Sequence, residues 1–110
     1  MAAIMTPTKG ESLLLWRRRK GLNQVQAASE YNVHPDRYRE WEADRRTEDQ
    51  PRQHLGELKP HELCVLARRR AGQTQRQVAA AIGLTRLWVT KIENGEASPD
   101  RLQEYWGLNK

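Results

Sequence analysis

Apolar residues recur along this chain at helical rather than strand spacing. In the second half, Val78, Ala79, Ile82, Leu84, Val89 and Ile92 fall where two short helices would pack on a third. Stop and start signals divide that stretch. Pro60 suits a first helical turn, and Glu62–Ala71 reads as a helix ended by Gly72. Thr74 with Gln77 has capping-box spacing before a helix that stops at Gly83. Thr85 caps a third helix, from Arg86 to about Asn94, closed by Gly95. Ser98-Pro99-Asp100 opens a short fourth, with Leu102, Tyr105 and Trp106 on one side.

The first half follows the same plan. Thr8 and Glu11 have capping-box spacing before Ser12–Lys20, and Gly21 stops that helix. Asn23 caps Gln24–Tyr31, Asn32 supplies a left-handed turn residue, and His34-Pro35 opens a third helix with Tyr38 and Trp41 inward. No alternating strand pattern occurs, so the expected fold class is all-α.

The likeness of the halves is quantitative. Shifting the chain by 51 residues aligns Glu11 with Glu62, Leu15 with Leu66, Arg17-Arg18-Arg19 with Arg68-Arg69-Arg70 and Gly21 with Gly72. It also aligns Gln24 with Gln75, Gln26 with Gln77, Ala28 with Ala79 and Glu42 with Glu93. Apolar character persists at Tyr31/Ile82, Val33/Leu84, Tyr38/Val89 and Trp41/Ile92, so the match exceeds a shared arginine tract. The expected organisation is a first repeat over 8–46, a polar linker over 47–60 and a second repeat over 61–108. A helical turn is expected after Thr47, and His54 and His61 read as linker residues.

Length and charge narrow the function. With 110 residues and 37% hydrophobic content, the chain has room for small helical units but not for a large enzyme around a deep pocket. Phe is absent, so Trp and Tyr supply the large core side chains. The net charge is +5, and most of it belongs to residues 51–110, a bias that suits nucleic acid. No apolar run approaches a membrane span, the longest being Leu13-Leu14-Leu15-Trp16, and no signal peptide is read. The single Cys64 fits a reducing compartment and reads as a core residue of helix one. His34, His54 and His61 lack ligand spacing with Cys64, so no metal is expected. Neither a phosphate-binding glycine loop nor a carboxylate pair in a cleft is apparent, so no catalytic residue, cofactor or small-molecule effector is expected.

Arg68-Arg69-Arg70-Ala71-Gly72-Gln73-Thr74-Gln75, then Ala79, Gly83-Leu84-Thr85, and Lys91-Ile92-Glu93-Asn94-Gly95 together resemble the helix-turn-helix domain of the lambdoid phage repressor and Cro-type (XRE-like) family. The resemblance covers Glu62 to Gly95. The first repeat is similar but degraded: it keeps Arg17, Gly21, Gln24, Ala28 and Glu42. It has Asn32 in place of the turn glycine and Ala43-Asp44 in place of Asn-Gly. The resemblance implies two tandem helix-turn-helix bundles that bind double-stranded DNA. Gln75 would contact phosphate and brace the recognition helix. Thr85, Arg86, Leu87 and Lys91 would face the major groove, with Asn94 on the backbone. Arg86 is the strongest base reader, because a guanidinium pairs bidentately with guanine O6 and N7; as a surface arginine it would only meet phosphate. Trp88 faces outward, toward thymine methyls, sugars or a subunit contact. Arg68 with Glu93 and Arg17 with Glu42, both separated by 25 residues, would form structural ion pairs.

The two groove faces differ. Arg86, Leu87 and Lys91 correspond to Pro35, Asp36 and Glu40. Gln24, His34, Arg37 and Arg39 keep the first repeat a candidate DNA binder; an architectural or dimerisation module and a protein-partner site are the alternatives. Two linked readers would act on each other at roughly millimolar effective concentration and span one turn of DNA, roughly 34 Å. The expected function is therefore a cytoplasmic, nucleoid-associated, sequence-specific regulator, acting as a repressor at a promoter in a phage, plasmid or bacterial setting, as a monomer or a homodimer. The rival reading is an antitoxin-like or inhibitor protein that uses Trp16, Trp88 or Trp106 for a partner. RNA binding is weaker, since no aromatic stacking sheet is foreseen.

Overall fold

The computed structural model describes residues 6–108, and among them the regular structure is entirely helical. Seven helices run in order: α1 (Lys9–Lys20), α2 (Gln24–Glu30), α3 (Pro35–Glu42), α4 (Pro60–Arg70), α5 (Gln75–Ile82), α6 (Arg86–Glu93) and α7 (Asp100–Trp106). They gather into two compact units, Thr6–Gly56 and the chain from Glu57 onward.

In the first unit the helix ends follow local chemistry. The Thr8 hydroxyl accepts from Glu11 N (3.1 Å), and the Glu11 carboxylate accepts from Thr8 N (2.8 Å). The cap residue stands immediately before the first helical one, so α1 begins at Lys9, ahead of the expected Ser12. Gly21 ends it in the left-handed conformation, at φ 69°. Asn23 and Gln26 form a capping box for α2, and the His34 ring caps α3 with Pro35 in its first turn. Asn32, at φ 55°, makes the turn between α2 and α3.

Leu13, Ala27, Ala28, Tyr38 and Trp41 form the core, with Trp16, Tyr31 and Val33 packed against it. Tyr31 sits among the other rings, edge-on to Trp16 at 5.3 Å and to Trp41 at 5.8 Å, and stacked with Tyr38 at 6.2 Å. Aromatic clustering thus replaces the missing Phe.

Two features of this unit come from residues distant in sequence. Asp44, at φ 58°, places its carboxylate on the start of α1, accepting from the Thr8 hydroxyl (2.6 Å) and from Gly10 N (2.9 Å). Residues 47–56, within the stretch read as linker, pack on this unit. Buried Gln50 donates to the Trp41 carbonyl (2.7 Å) and to Asp44 (2.8 Å), Gln53 N donates to Ser12 Oγ (3.0 Å), and Arg52 donates to the Pro7 carbonyl (2.9 Å). The turn after Thr47 is a single one, in which Gln50 N reaches the Thr47 carbonyl at 3.3 Å.

The second unit uses the same cap chemistry. Glu62 folds back on Lys59 N (2.9 Å), Thr74 and Gln77 cap α5 reciprocally, Gly83 ends α5 at φ 70°, and Thr85 caps α6. Its core is Cys64, Val78, Ala79, Val89, Ile92 and Leu102, with Ile82, Leu84, Ala97, Trp106 and Leu108 against it. Leu102 and Trp106 face inward, but Tyr105 remains 37% exposed, so the expected three-residue apolar side of α7 is two residues wide. His61 is not a linker residue: it lies in the first turn of α4, with its ring over Gly95, where an added Cβ would stand 3.0 Å from it. The corresponding pair in the first unit is reversed in size, with Gly10 facing Asp44.

Candidate nucleic-acid interface

The central geometry of the second unit is the seating of α6. Buried Glu93, at the end of α6, receives Arg68 from α4 in two parallel bonds, Nε to Oε2 at 2.7 Å and Nη2 to Oε1 at 3.1 Å. Arg68 Nη1 also holds the Gln73 carbonyl (3.0 Å), which fixes the turn into α5. Gln75 completes the arrangement: its amide donates to Glu93 (2.9 Å), and its carbonyl oxygen accepts from the Thr90 hydroxyl (3.0 Å). One α5 side chain therefore holds two positions in the C-terminal half of α6. Its bracing contacts are direct, and one amide hydrogen is left for an outside acceptor. Buried Ala79 allows the close approach of α5 and α6, and Leu84 N closes the turn on the Ala79 carbonyl (2.9 Å).

The first unit repeats these contacts at the same offset. Arg17 meets Glu42 at 2.6 and 3.2 Å and holds the Leu22 carbonyl at 3.2 Å, and Gln24 donates to Glu42 at 3.0 Å. The bracing hydroxyl has no counterpart, because Arg39 stands where the second unit has Thr90.

The outer surface of α6 is set by its buried apolar residues, Val89 and Ile92, which mark the inward side. Thr85, Arg86, Leu87, Trp88, Lys91 and Asn94 are all exposed. Thr85 caps the helix by accepting from Trp88 N (3.1 Å), which leaves its O–H free to donate. Lys91 lies over the Trp88 ring, 5.7 Å from its centre. Asn94 is the C-cap of α6. Beside this surface runs a groove of about 670 Å³ lined by Arg68, Gly72, Gln73, Thr74, Gln75, Arg76 and Arg86. It brings Arg86 together with the start of α5, where unbonded N–H groups favour an anion. Arg76 belongs to this groove and escaped the sequence reading. Its signal was present, as a basic residue beside Gln75 in the first turn of α5.

The matching surface of the first unit is electrically closed. Arg39 pairs with Asp36 (2.6 Å), Arg37 with Asp49 (3.2 Å) and Arg46 with Glu40 (3.5 Å). The His34 Nδ1 lone pair is engaged by Asp36 N at 3.1 Å. Among the described residues, no ion pair engages Arg76, Arg86 or Lys91 in the second unit. Of the tryptophans considered for a partner, Trp16 and Trp106 are packed on their cores, and Trp88 is 44% exposed.

Cys64 is fully buried; burial first, and then the Glu93 carboxylate, push its thiol up to about 12. A thiol reagent at pH 8 should therefore leave Cys64 unmodified until urea unfolds the unit; equal rates with and without urea would contradict this. Unfolded, the thiol ionises near 9.0, whereas the folded chain holds the proton to about 12. The stability this contributes is fully present below pH 9 and is lost as pH rises through that window, so the urea midpoint should fall there. Among the described residues no group of three His, Cys, Asp or Glu side chains could hold a metal ion, and no helix is long and apolar enough to cross a membrane.

A small helical unit with a sharp α5–α6 turn and an exposed basic second helix is the geometry of a helix-turn-helix. Residues 66–105 match the family model described as a helix-turn-helix domain. The match lies within the second unit and takes in α5, α6 and nearly all of α7. Comparison with curated proteins and with solved structures found no match.

Proposed function

We propose that this chain is a sequence-specific DNA-binding transcriptional regulator that acts as a repressor by occupying a promoter, in a phage, plasmid or bacterial setting. The observation that carries the reading is the contrast between the two third helices. The α6 surface offers Arg86 and Lys91 without acidic partners, beside a basic groove at the start of α5, whereas the α3 surface neutralises its own arginines. In this reading α6 enters the major groove, Arg86 pairs with a guanine, and Thr85, Lys91 and Asn94 supply further polar contacts. Gln75 braces α6 and offers its remaining hydrogen to a phosphate, with Arg76 alongside.

The first unit is proposed to be a second helix-turn-helix copy with an architectural or dimerising role. At its would-be groove face Arg39 is paired with Asp36, Arg46 with Glu40 and Arg37 with Asp49, so these arginines are already engaged rather than offered to phosphate.

Selection of bound duplexes from random DNA, followed by titration at two salt concentrations, tests the reading. Submicromolar, selective binding that weakens steeply with salt is expected. Equal affinity for all duplexes would sink it. On the selected duplex, Arg86→Ala should cost about 1–3 kcal/mol and relax preference at one base pair. Gln75→Ala should weaken all duplexes alike, since it loosens the seating of α6 rather than a base contact. Arg37→Ala with Arg39→Ala should change affinity much less than Arg86→Ala; a larger effect would make the first unit a reader.

A further inference from the structure

Leu87 is 67% exposed, the most exposed large apolar side chain among the described residues. Trp88 follows it in the chain, and both lie in the first turn of α6. Leu87 is two residues from buried Val89, so helical geometry turns it nearly opposite the core. It shares its side of the helix with Lys91, four residues on. An unpartnered apolar side chain is thus set among cations at the end of the helix that the proposed function aims at base edges. Charge complementarity points to DNA as the occupant of this turn, because Arg86 and Lys91 flank Leu87 and no acid pairs with either among the described residues.

The major groove offers few apolar features, and the one belonging to a base is the C5-methyl group of a pyrimidine. Thymine carries it, and 5-methylcytosine carries the same group at the same place. A leucine cannot hydrogen-bond, so its contribution to sequence choice is contact with that methyl.

We infer that Leu87 reads the C5-methyl group of a pyrimidine beside the guanine contacted by Arg86, so that binding follows the methyl group rather than the hydrogen-bonding edge of that base. The inference rests on the DNA-reading role of α6. Thr85 holds the turn by its cap on Trp88 N, and Gln75 holds α6 through Thr90, so Leu87 is presented from a rigid element.

The test uses duplexes selected by the full chain. Each thymine is replaced singly by deoxyuridine, which removes the methyl and keeps every hydrogen-bonding group. At one position Kd should rise about fourfold, the factor supplied by burying one methyl-sized group. Replacing the same base pair by C·G should weaken binding further, and 5-methylcytosine there should recover about fourfold over cytosine. Leu87→Ala, a change at an exposed site, should bind thymine and deoxyuridine duplexes equally, and cytosine and 5-methylcytosine duplexes equally.

A selected duplex that tolerates deoxyuridine at every position overturns the methyl reading and leaves the DNA-binding role standing. A methyl effect that persists unchanged in Leu87→Ala assigns it to another residue and also overturns the inference. A chain that selects no duplex overturns the DNA reading itself, and the inference with it. If Leu87→Ala leaves every duplex affinity unchanged but converts a dimer to a monomer in light scattering, the turn is a subunit contact and the inference fails.

Discussion

Arg68→Ala should destabilise the second unit by about 3–5 kcal/mol, the cost of leaving a buried charge without its partner. Glu93 has no exposed side-chain surface, and two of its bonds come from Arg68. The substitution also frees the Gln73 carbonyl, while Gln75 still donates to the carboxylate. For a small unit this is a large share of the usual 5–15 kcal/mol of domain stability. Urea unfolding followed by tryptophan fluorescence measures it, with Trp88 and Trp106 reporting on this unit. Replacing both partners, Arg68→Met with Glu93→Leu, should recover most of the loss, because the cost lies in the unpaired charge more than in the pair. A single-variant cost below about 1 kcal/mol would mean that the pair behaves like an exposed one. Arg68→Ala should also weaken DNA binding, since Glu93 holds Gln75 and Gln75 holds Thr90 on α6.

The second large effect reverses an expectation from helix propensity. Gly10 lies inside α1, where alanine is ordinarily better by about 1 kcal/mol. Here Gly10→Ala should instead destabilise the first unit by about 3 kcal/mol. The added Cβ would stand 2.5 Å from the Glu42 carbonyl oxygen, 2.7 Å from that of Trp41 and 2.8 Å from Asp44 Cγ. Two of those neighbours are backbone, so no side chain can turn aside to relieve the clash. Gly21→Ala is the control. At φ 69° with nothing within 4 Å of its Cβ, it should cost only about 1–2 kcal/mol of left-handed strain. If the two substitutions cost the same, or Gly10→Ala stabilises, α1 and the end of α3 are not packed as described.

These two effects mark where legibility in the sequence ends. The Arg17–Glu42 and Arg68–Glu93 contacts are legible through the family resemblance, which implies the second pair, and through the repeat, which carries it to the first unit at the same separation. Gly10 gives no such signal. Its importance depends on a carbonyl 32 residues away, and its second-unit counterpart is His61, which faces Gly95. Nothing local to either residue announces that size is exchanged across the contact. The polar stretch 47–56 likewise reads as a tether, because its hydrogen bonds go to Trp41, Asp44, Ser12 and Pro7 rather than to neighbours in sequence.

The same division runs through the candidate interface. Thr85, Arg86, Leu87 and Lys91 can be placed on an outward surface from periodicity, because Val89 and Ile92 mark the inward one. Whether an arginine on such a surface is available is a different matter. Arg37 and Arg39 keep the first repeat a candidate binder in the sequence, yet their carboxylate partners engage both. Gln75 looks like a phosphate ligand and is mostly committed to Glu93 and Thr90.

By itself, the sequence determined the helices, most of their ends and inward positions, and the division of the chain into two helical units. Each of these is set by caps, left-handed residues and side-chain spacing within a few positions. Only the tertiary structure decided which charges are free, which glycine must stay a glycine and where the polar segment lies. Those outcomes depend on distances between residues tens of positions apart, and local propensity does not encode them.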